Sequence, residues 1–120
     1  MPNQMTPEAE AKRLKLELRL AQLEKHEKCQ NDFLTFVRAM WPDFIAGRHH
    51  KIIAEKFERV ATGELKRLII NMAPRHTKSE FASYLFPAWM MGRDPRMKII
   101  QATHTTELAV NFGRKVKNLI

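Results

Sequence analysis

Apolar positions recur at helical spacing over most of this chain and cluster without it at 67–72 and 98–102. Thr6-Pro7-Glu8 reads as a helix start: a capping hydroxyl, proline in the first turn, then an acid at the positive end. The helix it opens should run to about residue 28. Leu14, Leu18 and Ala21 line one face, and Leu16, Leu20 and Leu23 an adjoining one. Charges alternate over the remaining positions, as on a solvated or partner-facing helix. Such a helix is either a short coiled coil or an arm packed on its own domain. Asn31-Asp32 can cap a second helix over 33–41, with Phe33, Phe36, Val37 and Met40 as core, ended by Trp41-Pro42. After Gly47 a third helix, 48–62, carries Ile53, Phe57, Val60 and Ala61 on its buried stripe, and Gly63 supplies its left-handed end.

The two runs, 67–72 and 98–102, predict strands. The first is apolar apart from Asn71, the pattern of a strand covered on both faces. A helix should follow from Lys78 through Phe81, Tyr84 and Leu85, broken or kinked at Pro87, with one more turn over 88–91 and a loop over 92–95. Thr105 caps a last helix whose apolar face is Leu108, Phe112, Val116 and Leu119. Strand, loop, helix, strand and helix make a βαβ unit with a right-handed crossover. The predicted fold class is therefore α/β, a βαβ unit preceded by N-terminal helices. Residues 1–31 form an arm and 32–120 the domain. In such sheets ligands bind at the carboxyl ends of strands, so the Pro74–Ser79 and His104–Thr105 loops should share one end.

The stretch from Leu68 to Ala82 is the candidate for chemistry. A strand that aims a loop into a helix opened by Lys78-Ser79 is the order used to hold a phosphate chain. Backbone N–H groups and the helix dipole face the anion, the lysine reaches the outer phosphates, and the serine hydroxyl ligates Mg2+. The glycines of G-x-x-x-x-G-K-[ST] are replaced by Met72 and Thr77. A cation at a helix N-terminus is unfavourable without an anion there; the plain alternative is a solvated lysine and an ordinary helical serine. Arg75, three residues before Lys78, can grip a γ-phosphate bidentately or simply face solvent. His76 and Thr77 occupy the loop tip. Arg114 and Lys117 share a face of the last helix, as phosphate-contacting residues or a solvated basic face.

Pro74-Arg75-His76-Thr77-Lys78-Ser79-Glu80 resembles the divergent Walker A motif of tailed-phage large terminase subunits, the ATPases that pump DNA into capsids. Arg48-His49-His50 upstream and Gln101-Ala102-Thr103-His104-Thr105 downstream extend the resemblance, which covers about 33–120. It implies a partial P-loop NTPase domain of helicase-like type that binds ATP with Mg2+ at Pro74, Arg75, His76, Thr77, Lys78 and Ser79, with Arg75 sensing ATP or assisting its cleavage. It implies that Arg48, His49 and His50 contact adenine, and that Thr103, His104 and Thr105 couple to nucleic acid. Zinc at the histidine pair is disfavoured, since adjacent helical residues point apart and no thiolates accompany them. The implied partners are double-stranded DNA, a small terminase subunit and a portal ring. The intact protein would hydrolyse ATP to translocate DNA, cut it with a separate nuclease domain, work in the host cytoplasm, and be able to form an oligomer. A helicase-like or transposition-type ATPase, or a non-enzymatic DNA-binding remnant, are the alternatives.

Charge sharpens this picture. Residues 1–31 hold six basic and five acidic groups, whereas 32–120 hold fifteen and eight, so +7 of the +8 net charge sits with the candidate loop. That suits a polyanionic partner or merely a soluble basic protein. The single Cys29 excludes an internal disulfide. The stretch after Met1-Pro2-Asn3-Gln4 is charged where a signal peptide is apolar, and no run approaches a membrane span. At 120 residues the chain is short for a nucleotide-binding α/β domain. It lacks the acid-ended third strand that holds Mg2+ in such ATPases, so a truncated chain, inactive alone, is expected.

Overall fold

The Thr6 hydroxyl accepts from Ala9 N–H at 3.4 Å and opens α1, Pro7–Asn31. The computed structural model describes residues 6–76 and 78–120; Thr77 and the stretch from Met1, on which the signal-peptide reading fell, lie outside the described residues. α1 buries none of its side chains. At about 100° per residue, Leu16, Leu20 and Leu23 fall on the side opposite Leu14, Leu18 and Ala21, not beside them. All five leucines stand 57% to 62% exposed. α1 projects as an arm, so the molecule measures 71 × 29 × 29 Å and its radius of gyration is 19.1 Å. A compact chain of this length would have about 14 Å.

The body is a cluster of helices around one ring. α2, Phe33–Met40, follows α1 after a single extended residue, Asp32. α3 is Arg48–Ala61. A π-helical segment, Glu80–Leu85, runs directly into α4, Phe86–Arg93, and α5, Thr106–Leu119, closes the set. Phe33 is fully buried and meets the rings of Phe57, Phe81, Phe86 and Trp89 edge-on, with centroids 5.4 to 5.9 Å away. Edge-to-face pairs add to what burial alone contributes. Helix ends left without intrahelical partners are satisfied from across this core. Phe33 N–H donates to Glu58 Oε1 at 3.1 Å, and Trp89 Nε1 donates to the Cys29 carbonyl at 2.8 Å. Burial raises the Glu58 carboxyl above its usual value.

The helices fall where capping and periodicity place them. Thr105 accepts from Leu108 N–H at 3.3 Å, and Gly63 takes φ +83° just after α3. The predicted α/β class does not hold: every regular element among the described residues is helical, and no strand forms. Residues 67–72 and 98–103 do alternate between exposed and half-buried with period two, as an extended chain does. Neither joins a ladder, and a strand without a hydrogen-bonded neighbour is not a sheet. Leu68, Ile70 and Met72 pack on the core, while Ile69 is 86% and Ile100 96% exposed. The first run is thus covered on one face, not two. With no sheet, there is no shared strand end to gather the 74–79 and 104–105 loops.

Phe33→Ala should cost about 3–5 kcal/mol, the range for a buried phenylalanine, whereas Leu18→Ala on the exposed arm should change stability by less than about 0.5 kcal/mol. Urea unfolding of both variants checks this. Equal midpoints would remove Phe33 from the centre of the core.

Candidate functional site

The chain leaves the core at Met72 and turns at Pro74-Arg75, and the following helix begins at Lys78. Arg75 takes φ +68°, the left-handed region that L side chains rarely adopt. That conformation costs about 1–3 kcal/mol in a residue other than glycine. A backbone reversal thus sits at the arginine; Thr77, which stands where the phosphate-loop pattern has its second glycine, is outside the described residues. Pro74, Arg75, His76 and Ser79 are exposed and Lys78 is half-buried.

Lys78 and Ser79 form the first helical turn, where backbone N–H groups have no partner within the helix. They line a cleft of 420 Å3 with Lys66, Leu68, Ile70, Ser83, and Phe57 and Val60 of α3. Among the described residues that lining holds two ammonium groups, two hydroxyls and no carboxylate. Such a lining suits an anion. Lys66 was not among the residues singled out from sequence; its only signal was basic character just before the apolar run.

The wall behind Ser79 owes its shape to Pro87. Proline has no N–H to give to the carbonyl four residues back. The helix widens, Phe86 N–H reaching Phe81 O five residues back, and the freed Ser83 carbonyl accepts a hydrogen bond from Gln101 Nε2. Pro87 therefore neither ends the helix nor adds a loop: it is buried in the first turn of α4, after a π segment. Gln101 ties the second extended segment to the cleft wall. On the same segment Tyr84 lies under the Lys115 ammonium, 5.1 Å from its ring centroid. Burial, then the Glu80 charge, raises the Tyr84 phenol above its usual value.

A second group gathers at the start of α3. His50 is buried, its Nδ1 accepts from Gly47 N–H at 2.8 Å, and its ring packs on Phe44 and Phe81. His49 does not point away from it. The two rings lie 3.8 Å apart, and His49 reaches His76 of the loop at 5.9 Å. Gly47 permits this, since a Cβ there would stand 2.9 Å from the His49 ring. His49 also lines a shallow groove of 360 Å3 with Ile52, Lys56 and residues 68–72. Leu68 and Ile70 line both hollows, so the extended segment separates the histidines from Lys78.

The other expected residues do not converge here. Arg48 is exposed on the first turn of α3. Thr103 Oγ1 donates to the Thr105 carbonyl at 2.7 Å and Thr105 caps α5, so both hydroxyls serve the backbone. His104, Arg114 and Lys117 are exposed. Among the described residues no group of three or more histidine, cysteine or acidic side chains is placed to hold a metal, and no helix is long and apolar enough to cross a membrane.

Burial, then the charges of His49 and His76, lower the His50 pKa below 6.5. The folded chain then binds fewer protons than the unfolded chain around that value. The stability this contributes is complete above 6.5 and is lost as pH falls through the lowered value. His50→Gln, which keeps an acceptor and removes the titration, should flatten the slope of stability against pH between about 7.5 and 5, read by urea unfolding at each pH. An unchanged slope would assign the pH response to other groups. Comparison with family models, with curated proteins and with solved structures gives no match to this chain.

Proposed function

We propose that this chain binds the phosphates of ATP at the first turn of the helix opened by Lys78 and Ser79. We propose further that it is the ATP-binding part of a phage large terminase subunit, which packages viral DNA in the host cytoplasm. The observation that carries the site is the 420 Å3 cleft, where Lys66 and Lys78 stand with the Ser79 hydroxyl and no carboxylate among the described lining. Two ammonium groups and the backbone amides of a helix start meet what a triphosphate requires: positive charge and N–H donors on one side. Arg75, in its left-handed turn three residues before Lys78, is the residue whose guanidinium would reach for the outer phosphate. The motif resemblance supplies the terminase assignment; the adenine contact it implies by Arg48, His49 and His50 does not join this cleft, since His50 is buried and the extended segment lies between.

The donor set fits the phosphates better than it fits the metal. Ser79 offers Mg2+ one oxygen, and the described lining offers no acid. The ion would therefore be held chiefly by the nucleotide, as Mg2+ is when few protein ligands are present. Bound Mg2+ supplies charge neutralisation on the phosphates. The chain's own part is to seat them with Lys66, Lys78 and the helix amides. Binding without appreciable turnover is the corresponding expectation, because no described carboxylate in the cleft can orient water. A DNA-binding role without catalysis is favoured separately by the excess of fifteen basic over eight acidic groups in 32–120 and by exposed Arg114 and Lys117. Both roles are compatible in one packaging protein.

Lys78→Ala should weaken Mg-ATP binding by about tenfold or more, the value of one charge-assisted contact, with far-ultraviolet circular dichroism unchanged. A fluorescent ATP analogue displaced by ATP measures it. Equal affinities would reject the phosphate site. Duplex DNA affinity should fall steeply with salt through counterion release; affinity indifferent to salt would reject the electrostatic partner.

A further inference from the structure

We infer that α1 pairs antiparallel with α1 of a second copy of this chain along Leu16, Leu20 and Leu23. Those leucines are spaced four and three residues apart, the seam of a two-helix coiled coil. They are 57%, 59% and 58% exposed, and nothing among the described residues covers them. Where α1 meets the body it does so through Gln22, Lys25, His26 and Cys29, beside Trp89 and Leu119. The leucine seam lies about 130° round the helix from that side, so a partner helix along it is clear of Trp89 and Leu119 and approaches the body at the start of α2, where Glu27 borders Asp32 and Thr35.

Charge chooses the occupant and its direction. Arg13 and Glu27 sit on the same seam, one heptad before and one heptad after Leu20. A two-fold axis at Leu20 sets Leu20 level with Leu20 and Arg13 level with Glu27 of the other copy, twice, and leaves Leu16 and Leu23 of the two copies one residue, about 1.5 Å, out of level. A parallel pair in register would set Arg13 on Arg13 and Glu27 on Glu27, which is repulsive. Arg13 now holds Glu17 in an exposed i,i+4 pair at 2.8 Å; such a pair contributes little and gives way readily. The antiparallel direction also sets the two bodies at opposite ends, about 37 Å of helix apart. The opposite stripe lacks this self-complementarity, because extending Leu14, Leu18 and Ala21 by further turns reaches Lys25 and Lys28.

Sedimentation equilibrium on the whole chain tests the pairing. The wild type should dimerise at tens of micromolar, a modest affinity. Leu20→Glu should be monomeric, whereas Leu14→Glu, equally exposed on the other stripe, should still dimerise. Arg13→Glu and Glu27→Arg should each weaken the dimer about threefold to tenfold, and the two together should restore it. Circular dichroism on each variant reports the helix independently. A wild type monomeric to about 100 µM, a dimer indifferent to Leu20→Glu, or a double charge swap no better than either single one would each overturn the proposal.

Discussion

The fold depends on the ring of Phe33. It begins α2, is wholly buried, and is met edge-on by four other rings from α3, the π segment and α4. Each edge-to-face contact is worth about 0.5–1.5 kcal/mol beyond burial. The position also fixes the backbone, because Phe33 N–H is held by Glu58 of α3 and the last turn of α1 is held by Trp89 of α4. One residue thus sets where the arm leaves the body and how the two helices that wall the cleft are spaced.

Around that centre, one missing donor shapes the candidate site. Pro87 widens the helix before it and exposes the Ser83 carbonyl, which Gln101 then satisfies. The cleft wall that includes Ser83 is therefore pinned from outside the helix, while its floor comes from Phe57 and Val60. The loop leading into the cleft carries a backbone reversal at Arg75. The loop is thus turned at Arg75 between the extended segment 67–72 and the helix that begins at Lys78, an arrangement suited to presenting N–H groups and ammonium ions together.

Much of the helical architecture was legible because its signals are local. Thr6, Thr105 and Gly63 act through neighbours three or four residues away, and the structure uses them as caps and a left-handed end. The strands were misread because pairing is not local. The 67–72 run alternates and packs like an extended chain, yet Ile69 faces out where a covered strand would bury it. Ile100 does the same in the second run. The histidine pair was misread for a related reason. Helix geometry separates adjacent Cβ atoms, but the space above Gly47 lets the His49 ring fold back on His50. Lys78 and Ser79 were visible as a motif; Lys66 and the Gln101 brace were not, since only the folded chain brings them to the same wall.

The central claim is that the helix start at Lys78 receives phosphate. Amide hydrogen exchange of the chain with and without Mg-ATP tests it most directly. The account predicts slowed exchange confined to the amides of residues 75–83 and the adjoining Phe57–Val60 turn of α3, with the arm α1 unchanged. Unchanged exchange over 75–83 at saturating Mg-ATP, or slowing only along α5, would contradict it.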